Sequence, residues 1–115
     1  MPTELLFSYG TLQKREIQIT HFGRELTGRA DTLPGYRRRM LTVTEPSVIE
    51  LTGETQTPTA EPSSGAGDSI AGVVFEITPD ELAAVDKYEH AARYRRLRVT
   101  LSSGAEAWLY VHSTP

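Results

Sequence analysis

Gly72-Val73-Val74-Phe75-Glu76-Ile77-Thr78-Pro79-Asp80-Glu81-Leu82 contains both kinds of regular structure and the switch between them. Val73, Val74, Phe75 and Ile77 are β-formers in a short apolar run, so Ile70 to Ile77 is predicted as a buried strand. Thr78, Pro79 and Glu81 then fit a capping box, with Thr78 as N-cap, Pro79 in the first helical position and Glu81 returning a hydrogen bond to the cap. A helix therefore follows the strand at once. Along it Leu82, Val85, Asp86 and Glu89 stand at i, i+3, i+4 and i+7, sharing a stripe that begins apolar and ends in carboxylates. A glutamate that continues the stripe of Leu82 and Val85 has to meet burial, a partner or a cavity, which singles out Glu89.

On the N-terminal side, Glu4 to Tyr9 is a short apolar and aromatic run that stops at Gly10, as a buried strand entering a tight turn does. Gly10 is expected to need a positive φ or close backbone approach to a ligand. Lys14 to Phe22 is predicted as a short helix stopped by Gly23. Leu33-Pro34-Gly35-Tyr36 supplies turn chemistry between a strand near Gly28 to Thr32 and one near Arg37 to Val43, which are expected to pair like a hairpin. From 53 to 69 the composition shifts to Gly, Thr, Pro, Ser and Glu, with Ala60 and Ala66 the only other apolar residues. This stretch is expected to be a flexible surface loop, an insertion more than a lid, that tolerates shortening.

On the C-terminal side, Leu97, Val99 and Leu101 face one way while Tyr94, Arg96 and Arg98 face the other. Ser102-Ser103-Gly104 turns the chain into a last strand, Ala105 to His112, with Trp108, Tyr110 and His112 opposite Ala107, Leu109 and Val111. Several strands and one main helix give an α+β class, a small curved or barrel-like mixed sheet, in one domain over 1–115.

The composition excludes several function classes. At 115 residues the chain can close a core without disulfides or metals, and 38% hydrophobic with 23% charged residues is an ordinary globular balance. The net charge of -3 argues against nucleic acid, whose binding needs a basic surface. Without cysteine there is no thiolate nucleophile or cysteine-held metal, and without asparagine no such side chain can donate to an oxyanion. Leu5-Leu6-Phe7 is too short for a signal-peptide core and no stretch approaches a membrane span, so a cytoplasmic location away from membranes is expected.

Ser8, Asp86 and His112 do not make a convincing triad, because Ser8 lacks the G-x-S-x-G elbow. His21, His90 and His112 lack paired metal-ligand spacing, so no metal site is expected. Strand alternation splits Arg37-Arg38-Arg39, and likewise Arg93, Arg95, Arg96 and Arg98, between two faces, as solvated arginines with carboxylate partners.

The ordered set Leu6-Phe7-Ser8-Tyr9-Gly10-Thr11-Leu12, Gly72 to Ile77 with the capped helix, Asp86-Lys87-Tyr88-Glu89, Tyr94-Arg95-Arg96 and Gly104 to Val111 resembles the γ-glutamylcyclotransferase-like (AIG2-like) family. The wording Y-G-T-L looks more like its γ-glutamylamine branch. The resemblance implies the family's fold and an enzyme of acyltransferase or lyase type that needs no cofactor. Its small-molecule substrate would be a γ-glutamyl amine or γ-glutamyl amino compound, closed to 5-oxoproline with release of the amine. It also implies Glu89 as catalytic acid/base, a substrate cradle at Tyr9, Gly10, Thr11 and Leu12, and Tyr94 as a further substrate-binding side chain. A non-catalytic module that binds a small carboxylate or amine on the same fold is the alternative, since fold does not guarantee activity.

Overall fold

Strand alternation sends Leu6 of β1 (Glu4–Ser8) to one face of a sheet and Phe7 to the other, and each enters its own apolar cluster. The computed structural model describes residues 3–65 and 67–113. Strand β1 lies between β5 (Ser69–Ile77), antiparallel to it, and β7 (Glu106–His112), parallel to it. Strands β2 (Thr27–Pro34) and β6 (Tyr94–Thr100) form the edges, giving the order β2-β5-β1-β7-β6. The sheet is thus mixed, as expected. Its two edges curl toward each other: Ser102 N donates to Thr32 O at 2.8 Å, and Ser103 Oγ donates to Asp31 Oδ2 at 2.5 Å, so the β6–β7 turn closes on β2.

Inside the curl, Phe7 and its register partner Val74 pack with Leu33, Leu109 and Val111. Outside it, Leu6, Ile77 and Tyr110 are covered by Leu82 and Val85 of α3 (Pro79–Ala91). The capping box that starts α3 is complete, with Glu81 N donating to Thr78 Oγ1 at 3.1 Å and Thr78 N to Glu81 Oε1 at 2.8 Å. Arg24 also grips the Glu81 carboxylate through Nε at 2.9 Å and Nη2 at 2.7 Å, tying α3 to the segment after α1 (Arg15–Phe22). Helix α1 ends at Gly23 in the left-handed conformation, the stop expected there.

Two expectations fail. The strands flanking Pro34-Gly35 do not form a hairpin: β2 pairs with β5, while β3 (Tyr36–Thr42) pairs with β4 (Gln56–Pro62) in a separate two-stranded ribbon. Gly35, at φ 79°, deflects the chain from one sheet into the other without reversing it. The stretch 53–69 is not a loop, because Gln56 to Pro62 is strand β4, with Thr59 and Ala60 buried. Pro58 and Pro62 mask it in the sequence, yet β4 carries a ladder on one side only, where proline is tolerated. Ala66 lies outside the described residues. A further short helix, α2 (Pro46–Thr52), has Pro at its start and left-handed Gly53 at its end.

Close packing at β1 and β5 yields a test. A Cβ on Gly72 would stand 2.4 Å from the Ser8 carbonyl oxygen and 2.7 Å from Phe7 Cζ, and neither has room to retreat. Gly72→Ala is expected to destabilise the protein by about 3 kcal/mol, read as a lowered urea midpoint; a midpoint like that of the unsubstituted protein would show that the sheet is less tightly packed here.

Candidate active site

The chain leaves β1 at Ser8 and enters a 3-10 turn, Thr11–Gln13, that is strapped from two sides. Gln13 N donates to Gly10 O at 3.2 Å, and its side-chain Nε2 donates back to Ser8 O at 3.0 Å. Buried Gln18 of α1 donates through Nε2 to Leu12 O at 2.9 Å and accepts from Leu26 N at 2.8 Å. Thr11 and Leu12 open the turn, and helical openings leave N–H groups without an internal partner. The side chain of Thr11 lies outside the described residues. Of the two reasons expected for Gly10, the structure removes the first: it is not among the positive-φ glycines, and a Cβ there would meet only Pro58 Cγ, at 3.8 Å. Its own backbone conformation does not demand glycine.

Above the turn opens a cavity of about 780 Å³, walled by the end of β1, by α3 and by the β3–β4 ribbon. Tyr9, Gly10, Leu12, Glu89 and Tyr94 all line it. Glu89 has no hydrogen-bond or ion-pair partner among the described residues. Arg93 instead pairs with Glu45 at 3.0 Å, and Arg96 with Asp86 at 3.7 Å. Burial pushes the Glu89 carboxyl up from 4.5 to about 7, since removal from water penalises the charged form.

Four tyrosines feel the charge of Glu89: Tyr9, Tyr88, Tyr94 and Tyr110, each raised first by burial and further by that carboxylate. Three of them have placed their only phenolic proton elsewhere. Tyr9 donates to Tyr110 O at 2.7 Å, Tyr94 to Pro58 O at 2.6 Å and Tyr110 to Asp86 Oδ1 at 3.1 Å. None of those three protons is left for Glu89, and Tyr88 makes no hydrogen bond to it among the described residues.

The same commitments revise how Tyr9 and Tyr94 enter the site. The Tyr94 oxygen, having given its proton to Pro58, accepts from Thr57 Oγ1 at 2.5 Å. Tyr94 lines the cavity as expected of a site residue, and its hydroxyl also anchors the ribbon against the sheet. Thr57 and Pro58 therefore line the cavity from the stretch read as a loop. Their only sequence signal was the two-residue alternation Thr57-Pro58-Thr59-Ala60, hidden by proline. Tyr88 and His21, edge to face at 4.6 Å, line it as well, and burial holds His21 below its ordinary pKa.

The dismissed triad stays apart: Ser8 Oγ accepts from Gly10 N, Asp86 from Tyr110, and His112 packs on the Tyr94 ring. No cluster of three His, Asp or Glu side chains among the described residues could hold a metal ion. No helix among them is long and apolar enough to cross a membrane. The cavity is thus lined both by a carboxyl raised toward neutral pH and by Gly10 and Leu12 of the turn.

One family model, gamma-glutamyl cyclotransferase, AIG2-like, matches residues 6–115. No curated protein matches the chain. Among solved structures, an Arabidopsis thaliana protein superposes with a TM-score of 0.73 at 19% identity, over 97% of this chain and 63% of its own length. An uncharacterized protein from Homo sapiens gives 0.76 at 18% identity, over 99% and 69%. A gamma-glutamyl cyclotransferase gives 0.71 at 17% identity, over 98% and 68%. At such identities the likeness shows a shared fold, and the chain spans under two thirds of the Arabidopsis protein.

The raised Glu89 carboxyl makes stability depend on pH. Between 4.5 and about 7 the folded protein holds a proton that the unfolded chain releases, so this group's contribution is complete below 4.5 and is lost as pH rises through 7. Glu89→Gln removes that loss. It is expected to match the unsubstituted protein near about pH 4 and exceed its stability by up to about 3 kcal/mol near pH 8, measured by urea unfolding at both. Equal stabilities at pH 8 would mean that the carboxylate is well solvated.

Proposed function

The chain belongs to the AIG2-like gamma-glutamyl cyclotransferase family, and we propose that it closes the γ-glutamyl group of a small substrate to 5-oxoproline and releases an amine. The observation that carries this reading is the half-buried Glu89 carboxyl, without a protein partner among the described residues and raised to about 7, lining the same cavity as the Gly10 turn. Structural glutamates are held by a cation or by donors; this one is kept free for a ligand.

In the proposed reaction the α-ammonium of the substrate enters next to Glu89, and its positive charge favours the ionised carboxylate. Glu89 takes a proton from it, and the freed amine nitrogen attacks the substrate's own γ-carbonyl carbon. A five-membered ring forms while the carbonyl oxygen gains negative charge. The N–H groups at the opening of the 3-10 turn, Thr11 and Leu12, are suited to that oxygen or to the α-carboxylate. Glu89 then returns its proton to the departing nitrogen, and the oxyanion collapses to the lactam carbonyl as the C–N bond breaks. The regenerated carboxylate takes the second proton from the ring nitrogen and passes it to the freed amine, which leaves as its ammonium. The α-ammonium loses two protons on becoming a lactam N–H, and the leaving nitrogen gains two on departing as an ammonium, so one acid/base that cycles twice balances the reaction. Folding the substrate so that its ends meet supplies much of the acceleration. Gly10 serves by leaving space, since any side chain would project toward Pro58 across the entrance.

Purified protein offered a panel of γ-glutamyl amines, γ-glutamyl amino acids and glutathione is expected to release 5-oxoproline from at least one of them. Binding without any release would favour the non-catalytic module. With a turned-over substrate, kcat/KM should be bell-shaped, its acid limb near about 7 from Glu89 and its alkaline limb near about 8 from the substrate amine. Glu89→Gln should lower kcat at least about a hundredfold and abolish the acid limb; unchanged turnover would remove Glu89 from the chemistry. Gly10→Ala should keep its urea midpoint while raising KM, and an unaltered KM would show that the turn does not approach the substrate.

A further inference from the structure

Alternation in β3 gives its three consecutive arginines different tasks. Arg37 and Arg39 share one face and both reach Glu61, at 3.5 and 2.6 Å. Arg38 points the other way and lines the cavity. Its ladder partner Ala60 is buried in the inner core, and the next pair on that face, Met40 with Pro58, brings the ribbon over Gly10. Arg38 makes no hydrogen bond or ion pair among the described residues. Lys14, from the segment between the 3-10 turn and α1, lines the cavity from a different wall and is likewise unpaired. Elsewhere, Arg15, Arg24, Arg37, Arg39, Arg93, Arg96 and Arg98 have carboxylate partners, while Arg29, Lys87 and Arg95 form no ion pair among the described residues and do not line the cavity. Glu54 also lines the cavity, yet it forms no ion pair with Arg38 or Lys14. In a chain of net charge -3, two cations without carboxylate partners in one cavity are a selective feature.

The size of the cavity shows which part of a ligand they would meet. At about 780 Å³ it lies within the range of roughly 300–1,000 Å³ that encloses whole drug-sized ligands. A five-carbon glutamyl head placed between Glu89 and the 3-10 turn leaves much of it to the departing half of the substrate. Resting on the reading given under Proposed function, we propose that Arg38, assisted by Lys14, binds a carboxylate carried by the leaving amine. The preferred substrates are then γ-glutamyl compounds with an anionic departing half, over plain alkylamine or polyamine derivatives. A guanidinium is suited to this, because its fork can hold both oxygens of a carboxylate.

Glutaryl amides test the idea without turnover, since they lack the attacking amine. Glutaryl-glycine and glutaryl-glycinamide have nearly the same shape and differ by one negative charge. By calorimetry the unsubstituted protein is expected to bind the glycine compound about tenfold more tightly. Arg38→Gln should bring the two level, Arg38→Lys should keep part of the preference, and Arg38→Glu should invert it. Equal affinities in the unsubstituted protein, a preference that survives Arg38→Gln, or binding of neither compound would overturn the proposal. Turnover of γ-glutamyl-glycine and γ-glutamyl-glycinamide separates the two readings. No 5-oxoproline from these or from any member of the panel, with the binding preference intact, overturns the cyclotransferase reading and leaves Arg38 as the carboxylate site of a binding module; equal kcat/KM for both overturns this proposal.

Discussion

A carboxylate half withdrawn from water without a cation is the constraint around which this molecule is arranged. Glu89 ends the stripe that Leu82 and Val85 begin, so the contact that seats α3 on the sheet also carries the acid into the cavity. Its surroundings then keep their protons to themselves: the phenols of Tyr9, Tyr94 and Tyr110 are spent on a strand carbonyl, a ribbon carbonyl and an aspartate. An unsatisfied charge of this kind costs stability, and proteins retain such costs where a ligand relieves them.

The same hydrogen bonds that deny Glu89 a donor also build the walls. Tyr9 ties the end of β1 to β7 within the sheet, and Tyr94 ties β6 to the ribbon, fixing the distance between sheet and ribbon. Gln18 holds the 3-10 turn from below, donating to one backbone group and accepting from another with a single buried amide. The cavity is thus bounded by short polar contacts at its corners and by apolar packing behind them. Shape is set by bonds of defined length, which suits a reaction that depends on holding one folded substrate conformer.

How much of this could be read from the chain alone follows from the range of the interactions involved. The capping box at Thr78, the stripe ending in Glu89 and the strand before them are local patterns, and each appears where expected. The helix stop at Gly23 is local too. Pairing is not local: Pro34-Gly35 announces a turn, but only the competition between β5 and β3 for β2 decides what the turn connects. Strand β4 was hidden because its prolines and threonines look like loop residues until a partner strand gives them a ladder. The proton commitments of Tyr9 and Tyr94 depend on residues more than thirty positions away, and no spacing rule could have supplied them.

The parallel contact of β1 with β7, at Leu6 and Trp108, joins the first strand to the seventh. Strand β1 is central, and it cannot be enclosed on both sides until nearly every other strand has been made. During synthesis β1 can pair with β5 and α3 can be capped before β7 emerges, whereas Tyr9 finds its acceptor, Tyr110 O, only when the last strand is made. Such long-range closure slows folding. It also means that no shorter, partly made chain has a finished cavity, so the desolvated acid is assembled only when the fold that shelters it is complete.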